Sequence, residues 1–224
     1  MENQSLRIRF SKTGAIKYIS HLDLTRVFLR ALRRADIRLK YSEGYTPHPK
    51  FAFGVPLSVG TESVCEVCDF TLADDMDVIT PEEVMSRLAG QLPAGIEILS
   101  CAPAVGKLRE ITYCDYLLTF DNACEDIIPL MRKSLEGRLV VMKRMKKGGE
   151  KELDITDMIV LSDILCRDGK VCMSLRLPCG NDLYLNPEYV VAAMRQNSAL
   201  EKVLEEYSTL RTKLFYADFT EFRY

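Results

Sequence analysis

Residues 6–10 alternate without a break, Leu6-Arg-Ile-Arg-Phe10, and a helix signal follows them. Leu6, Ile8 and Phe10 point one way and Arg7 and Arg9 the other, as in a half-buried strand. Ser20 opens the helix, with Asp23 three residues on as a reduced capping box. Its apolar residues Leu24, Val27, Phe28, Ala31 and Ala35 fall at helical spacing through residue 36. A strand followed by an amphipathic helix that must cover one of its faces is the start of a layered α+β domain.

The pattern continues. A Gly/Pro-rich loop leads to Phe51-Ala-Phe-Gly-Val55, and Ser63 to Leu72 read as a further strand. Thr80-Pro81-Glu82-Glu83 combines a cap, proline at the first helical position and an early acid. Ile96-Glu-Ile-Leu99 is again strand-like. The order is β-α-β-β-α-β, the ferredoxin-like arrangement. It is then predicted to repeat: a strand over Tyr113–Phe120, a helix capped by Asn122 and running to Leu135, and strands within 138–147 and 150–177. A helix at Asn186-Pro187-Glu188, a short helix from Ser198 and a strand from Thr209 to Phe219 complete the second set. The expected architecture is two tandem ferredoxin-like units, residues 1–105 and 106–224, joined near Ala102–Leu108.

With 47% hydrophobic and 28% charged residues the chain is ordinary globular material. No apolar run reaches the ~18–20 residues of a membrane span, and the polar start carries no apolar signal region. A cytoplasmic protein is expected, with its eight cysteines reduced and mostly buried.

Charge is unevenly placed. Residues 1–50 hold 11 Lys+Arg against 4 Asp+Glu, and the remainder 19 against 28. Arg26, Arg30, Arg33 and Arg34 share about 100° of helical arc, opposite the apolar stripe. Four guanidiniums on one face repel each other unless an anion sits among them, and their planar forks suit phosphate. The other reading is a solvated face paired with carboxylates of the acidic remainder. Arg7 and Arg9 are placed on the open sheet face, which RNA-binding sheets of this topology use, although no run of stacking aromatics accompanies them.

The loop Tyr41-Ser-Glu-Gly44-Tyr45-Thr-Pro47-His48-Pro49-Lys50 holds one of two histidines between two prolines; the other, His21, opens the arginine helix. An imidazole beside arginines suits general acid–base cleavage of RNA, or equally phosphate binding or loop shaping. Cys65-x-x-Cys68 is half a zinc motif without a second half, and its odd offset in a strand parts the two thiols. No metal or other cofactor is expected. Lys143, Arg144, Lys146, Lys147 and Lys151 flank Gly148-Gly149 as a cationic hairpin tip, a second anion contact or a solubilising edge. P-loop, GxGxxG, HExxH and GxSxG motifs are absent.

Residues Lys17-Tyr-Ile-Ser20-His21-Leu-Asp23 through Arg26, Arg30-Ala-Leu-Arg33-Arg34-Ala, the Tyr41–Lys50 loop with Phe53-Gly54, Pro56-Leu-Ser-Val-Gly60-Thr-Glu62-Ser63 and Glu66-Val-Cys-Asp69 resemble the radical-SAM-linked bacterial domain of unknown function. Lys146-Lys-Gly148 and Asp154 fit its looser C-terminal pattern. The resemblance implies a radical SAM protein as a separate partner chain, since this chain lacks a CxxxCxxC cluster motif. It adds Lys17 and Lys50 to the basic set. Ser20, Asp23, Tyr41, Gly44, Tyr45, Pro47, His48 and Pro49 are expected in loop-shaping roles. The tandem arrangement is also similar to RAMP-type RNA-processing endoribonucleases, but their C-terminal glycine-rich loop is missing: residues 205–224 contain no glycine. The expected function is an accessory module that contacts RNA, including ribosome-related RNA, or a ribonucleoprotein. An endoribonuclease using His21 or His48, and a protein-docking subunit that binds no RNA, are the alternatives.

Overall fold

A computed structural model describes residues 4–144 and 148–224. The chain is a mixed α/β protein whose contacts divide it into two compact units. The first holds residues up to 111 together with 214–224, and the second holds 112–213. A single cut at 105/106 does not describe this division, because the last eleven residues return to the first unit.

In the first unit β1 (Ser5–Lys12) lies between β4 (Ile96–Pro103) and β3 (Glu62–Thr71), and β2 (Phe51–Phe53) pairs with β3. All three pairings are antiparallel. Helices α1 (His21–Arg34) and α2 (Pro81–Leu88) complete the predicted β-α-β-β-α-β order. The alternation in β1 does what its pattern dictates: Leu6, Ile8 and Phe10 enter one core with Leu24, Phe28, Ala31 and Leu32 of α1 and Val84 and Leu88 of α2. Both helix starts are capped as read. Ser20 Oγ accepts from Asp23 N–H at 3.1 Å. Thr80 and Glu83 form the full reciprocal box, at 3.2 and 2.7 Å.

Gly95 joins α2 to β4 at φ +91°, and its carbonyl accepts from Thr13 N–H at 2.8 Å. A Cβ here would lie 2.3 Å from Thr13 O, so only glycine allows the two backbones to approach this closely.

The second unit runs β10 (Ser208–Phe215, of which it holds the part up to Lys213), β5 (Tyr113–Phe120), β9 (Lys170–Pro178), β8 (Leu161–Arg167) in spatial order. Alternate residues of β5, Cys114, Tyr116, Leu118 and Phe120, are buried, opposite Leu177, Leu175, Met173 and Val171 of β9. Helices α3 (Ile128–Ser134), α4 (Pro187–Met194) and α5 (Ser198–Glu201) accompany the strands.

Several boundaries differ from expectation. The helix predicted from Asn122 begins as a 3-10 turn at Glu125, and α3 starts at Ile128. Pro129 sets this start, because its ring excludes the preceding turn from the α ladder. Asn122 Nδ2 donates instead to Glu206 Oε2 at 3.1 Å. The stretch 138–177 yields four strands, of which β6 (Val140–Arg144) and β7 (Glu150–Asp154) form a separate two-stranded sheet. The last strand stops at Phe215; Phe219 at φ 62° and the Tyr216 N–H bond to Thr220 O turn the chain beyond it. Among the described residues no helix is long and apolar enough to cross a membrane.

Candidate nucleic-acid interface

Helix α1 ends in a Schellman turn. Ile37 N–H bonds to Leu32 O at 2.9 Å and Asp36 N–H to Arg33 O at 3.2 Å, with Asp36 in the left-handed region at φ 54°. Leu32 and Ile37 then bury together in the core. This turn reverses the chain, and residues 37–41 come back beside the helix they left. Between them opens a groove of about 810 Å³ lined by Leu29, Arg30, Arg33, Asp36, Arg38, Leu39 and Tyr41, among others.

The four stripe arginines are exposed and meet different fates. Arg26 pairs with Asp23 at 2.9 Å one turn away, an exposed contact of small worth. Asp23's carboxyl is held below its ordinary pKa, first by the Ser20 hydroxyl and then by Arg26. Arg34 donates to Gln91, to the side chain at 3.1 Å and to the backbone carbonyl. The side chains of Arg30 and Arg33 have neither a hydrogen-bond nor an ion-pair partner among the described residues, and both line the groove. Past the helix, Arg38 pairs with Asp75 at 2.5 Å and Lys40 with Asp74 at 2.8 Å. The solvated-face reading therefore accounts for part of the basic quarter and leaves Arg30 and Arg33 over.

The arginines of β1 require a correction. Arg7 lies on the predicted face but is only 1% exposed. Its guanidinium grips Asp69 in bidentate fashion at 2.8 and 2.9 Å and donates to the carbonyls of Val105, Gly106 and Arg223. Phe222 packs on it, with the guanidinium carbon 4.8 Å from the ring centre. Arg9 is half-buried, 4.3 Å from the centre of the Tyr224 ring, and donates to Val64 O at 3.3 Å. Burial pushes the Tyr224 phenol well above its ordinary pKa. Phe222 and Tyr224 thus lie over Arg7 and Arg9, and Arg7 leaves the set of anion ligands. Lys17 is engaged as well, 3.6 Å from Glu62 and beside the Tyr18 ring.

The Tyr41–Lys50 loop is closed at its base. Lys50 N–H reaches Lys40 O at 2.7 Å, Ser42 N–H reaches His48 O at 2.8 Å, and Ser42 Oγ accepts from His48 N–H at 3.0 Å. Tyr41 and Pro49 form a bridge, while Gly44, Tyr45, Pro47, His48 and Lys50 are exposed. His21 is exposed at the start of α1, edge-on to Phe53 at 5.4 Å. Neither imidazole has a side-chain hydrogen bond, and no ring contact joins them, among the described residues. Nothing there orients either one as an acid or base.

In the second unit the β6–β7 ribbon sets Lys143 opposite Lys151 and Arg144 opposite Glu150, all exposed. Lys146 and Lys147 lie outside the described residues. The ribbon's base is anchored by Asp154, whose carboxyl the Thr156 hydroxyl, and then Arg138, push down to about 2.

Cys65 and Cys68 part as their spacing requires: Cys68 packs in the first core, while Cys65 meets the Ser63 hydroxyl at 3.5 Å and lies toward Tyr224. No group of three or more His, Cys, Asp or Glu residues suited to a metal occurs among the described residues. Burial raises the Cys68 thiol well above its ordinary value, and burial together with Glu82 raises Cys101 to about 11. The reactive species is the thiolate. Iodoacetamide at neutral pH is therefore expected to alkylate exposed Cys124 first and to spare Cys68 and Cys101. Cys101 should react only as pH approaches 11. Peptide mass mapping checks this, and early labelling of Cys101 would contradict it.

What the sequence reading missed is the groove. The loop signal marks Tyr41 as loop-shaping only, and no motif marks Leu29, Asp36, Arg38 or Leu39. The available signal was the short Ile37–Tyr41 stretch immediately behind a helix end.

A model of the family described as "Uncharacterized protein conserved in bacteria (DUF2344)" matches residues 5–187. No curated protein matches the chain. Among solved structures, an unknown protein from Galdieria sulphuraria is similar at 13% identity, covering 94% of this chain and 99% of that one, with a TM-score of 0.28. A putative glycine cleavage system transcriptional repressor is similar at 8% identity, covering 96% and 99%, with a TM-score of 0.24. Likenesses at this level carry no argument about function.

Proposed function

Because the chain belongs to DUF2344, a family of uncharacterized proteins conserved in bacteria, we propose a role that its α1 face supports: a cytoplasmic, non-catalytic RNA-binding module. Its substrate is RNA, including ribosome-related RNA, or a ribonucleoprotein, which it presents to a radical SAM protein carried on a separate chain. The observation that supports RNA contact is the pair Arg30 and Arg33, exposed, their side chains without partners among the described residues and lining one groove. The radical SAM partner follows from the resemblance of residues 5–70 alone. The strand orders of the two units support reading each as ferredoxin-like, with the β6–β7 ribbon inserted in the second.

Binding of RNA by purified protein over a salt series tests the reading. Each phosphate neutralised on a single strand adds about −0.7 to the slope of log K against log salt. Replacing Arg30 and Arg33 together by glutamate is expected to weaken binding by roughly a hundredfold and to flatten the slope by about 1.4. Binding that ignores salt, or that survives the double substitution, overturns the proposal. A complex with the radical SAM protein that forms without RNA and dissolves in the same variant selects protein docking instead.

A further inference from the structure

The groove beside α1 is more than a cationic surface. Arg30, Arg33 and Arg38 contribute three guanidiniums, but Leu29 and Leu39 contribute apolar wall, and Tyr41 presents an aromatic ring that is 56% exposed. An exposed aromatic beside cations and aliphatic side chains suits a ligand that itself has a flat apolar face and an anionic group. A duplex offers only the second of these, because its bases are stacked inside and their faces are not available. An unpaired nucleotide offers both.

We propose that the α1 groove is a site for one unpaired nucleotide: its phosphate lies on Arg30 and Arg33, and its base stacks on Tyr41. This deepens the RNA reading and rests on it in taking Arg30 and Arg33 as phosphate ligands. Arg38 is already held by Asp75 and forms the edge of the site rather than its anion contact. Asp36 is the one carboxylate among the lining residues. It repels a second phosphate and is a hydrogen-bond acceptor for a ribose hydroxyl, the group by which a protein distinguishes RNA from DNA. Tyr41 is held through its backbone bridge to Pro49, and the hydrogen bonds that close the loop join Ser42 to His48 and Lys50 to Lys40, without the Tyr41 ring. Removing the ring therefore leaves the loop's hydrogen bonds intact.

The same chemistry fits a nucleotide within single-stranded RNA or a free mononucleotide, and the test separates them. Anisotropy of a labelled oligouridylate is compared with that of a duplex of equal length, for the wild type, Tyr41→Ala, Tyr41→Phe and Arg30→Glu/Arg33→Glu. Uridine monophosphate and inorganic phosphate serve as competitors, and calorimetry with uridine monophosphate alone completes the set. Stacking of one base predicts that Tyr41→Ala loses roughly tenfold in single-strand affinity, with duplex affinity unchanged and Tyr41→Phe close to wild type. Uridine monophosphate should displace the oligonucleotide where equal phosphate does not. If Tyr41→Ala changes nothing, or duplex binds as tightly as single strand, the nucleotide site is overturned while arginine-dependent RNA binding stands. If no RNA binds but uridine monophosphate does, and Tyr41→Ala abolishes it, the site holds as a free-nucleotide site and the RNA reading falls. If neither binds, both fall.

Discussion

Replacing Arg7 by alanine is expected to cost about 3–5 kcal/mol of folding stability, the range for breaking a buried ion pair from one side. The expectation rests on what is left behind. Asp69 loses both of its guanidinium hydrogen bonds, and the carbonyls of Val105, Gly106 and Arg223 lose a donor. The ring of Phe222 loses the plane it packs on. Asp69 keeps some access to water, its side chain being 23% exposed, which places the cost toward the lower end of that range. Arg7→Lys should recover only part of the loss, since one ammonium cannot reproduce the planar fork. Urea denaturation of the three proteins measures the differences. A loss under ~1 kcal/mol for Arg7→Ala, the scale of an exposed ion pair, contradicts the buried-pair account.

Phe28→Ala is the second large effect, expected at about 3–5 kcal/mol for a fully buried phenylalanine. Phe28 is 0% exposed and touches three other rings, with centroids 4.7 Å away at Phe10, 5.4 Å at Phe53 and 6.1 Å at Phe51. With Leu24, Ala31 and Leu32 it seats α1, and with it Arg30 and Arg33, on the sheet. On the proposed function the variant should therefore weaken RNA binding as well as stability, whereas Phe28→Leu keeps most of the volume and should lose less of both. Chemical denaturation and the binding assay read the two consequences separately. RNA affinity unchanged in a destabilised but folded Phe28→Ala would show that seating α1 is not what positions the arginines.

Local signals in this chain were legible because they are local. The alternation Leu6-Arg-Ile-Arg-Phe10 as a partition of faces, the caps at Ser20 and Thr80 and the arginine spacing on α1 each act within a few residues, and each appears in the structure, although the expected open face of β1 is covered at Arg7. Pro129 is equally local and shortens α3, because it overrides the cap signal of Asn122. Arg7 was not legible. Its carboxylate partner lies 62 residues away and one of its carbonyl partners 216 residues away. Alternation gives a side chain's face, but says nothing about what later covers that face. The groove was hidden for a related reason. It depends on Asp36 taking a left-handed C-terminal position that glycine usually fills, so the chain reversal behind α1 carried no obvious mark.

The return of residues 214–224 to the first unit has a consequence for how the chain is made. A ribosome emits residues in order, at about 5–20 per second. The pocket around Arg7 needs Phe222 and the carbonyl of Arg223, so it stays unfinished while the whole of 112–213 is translated, an interval on the order of ten seconds. During that time the nascent first unit holds a charged pair open to water and a sheet face without its cover. The unit that begins first is the one that closes last.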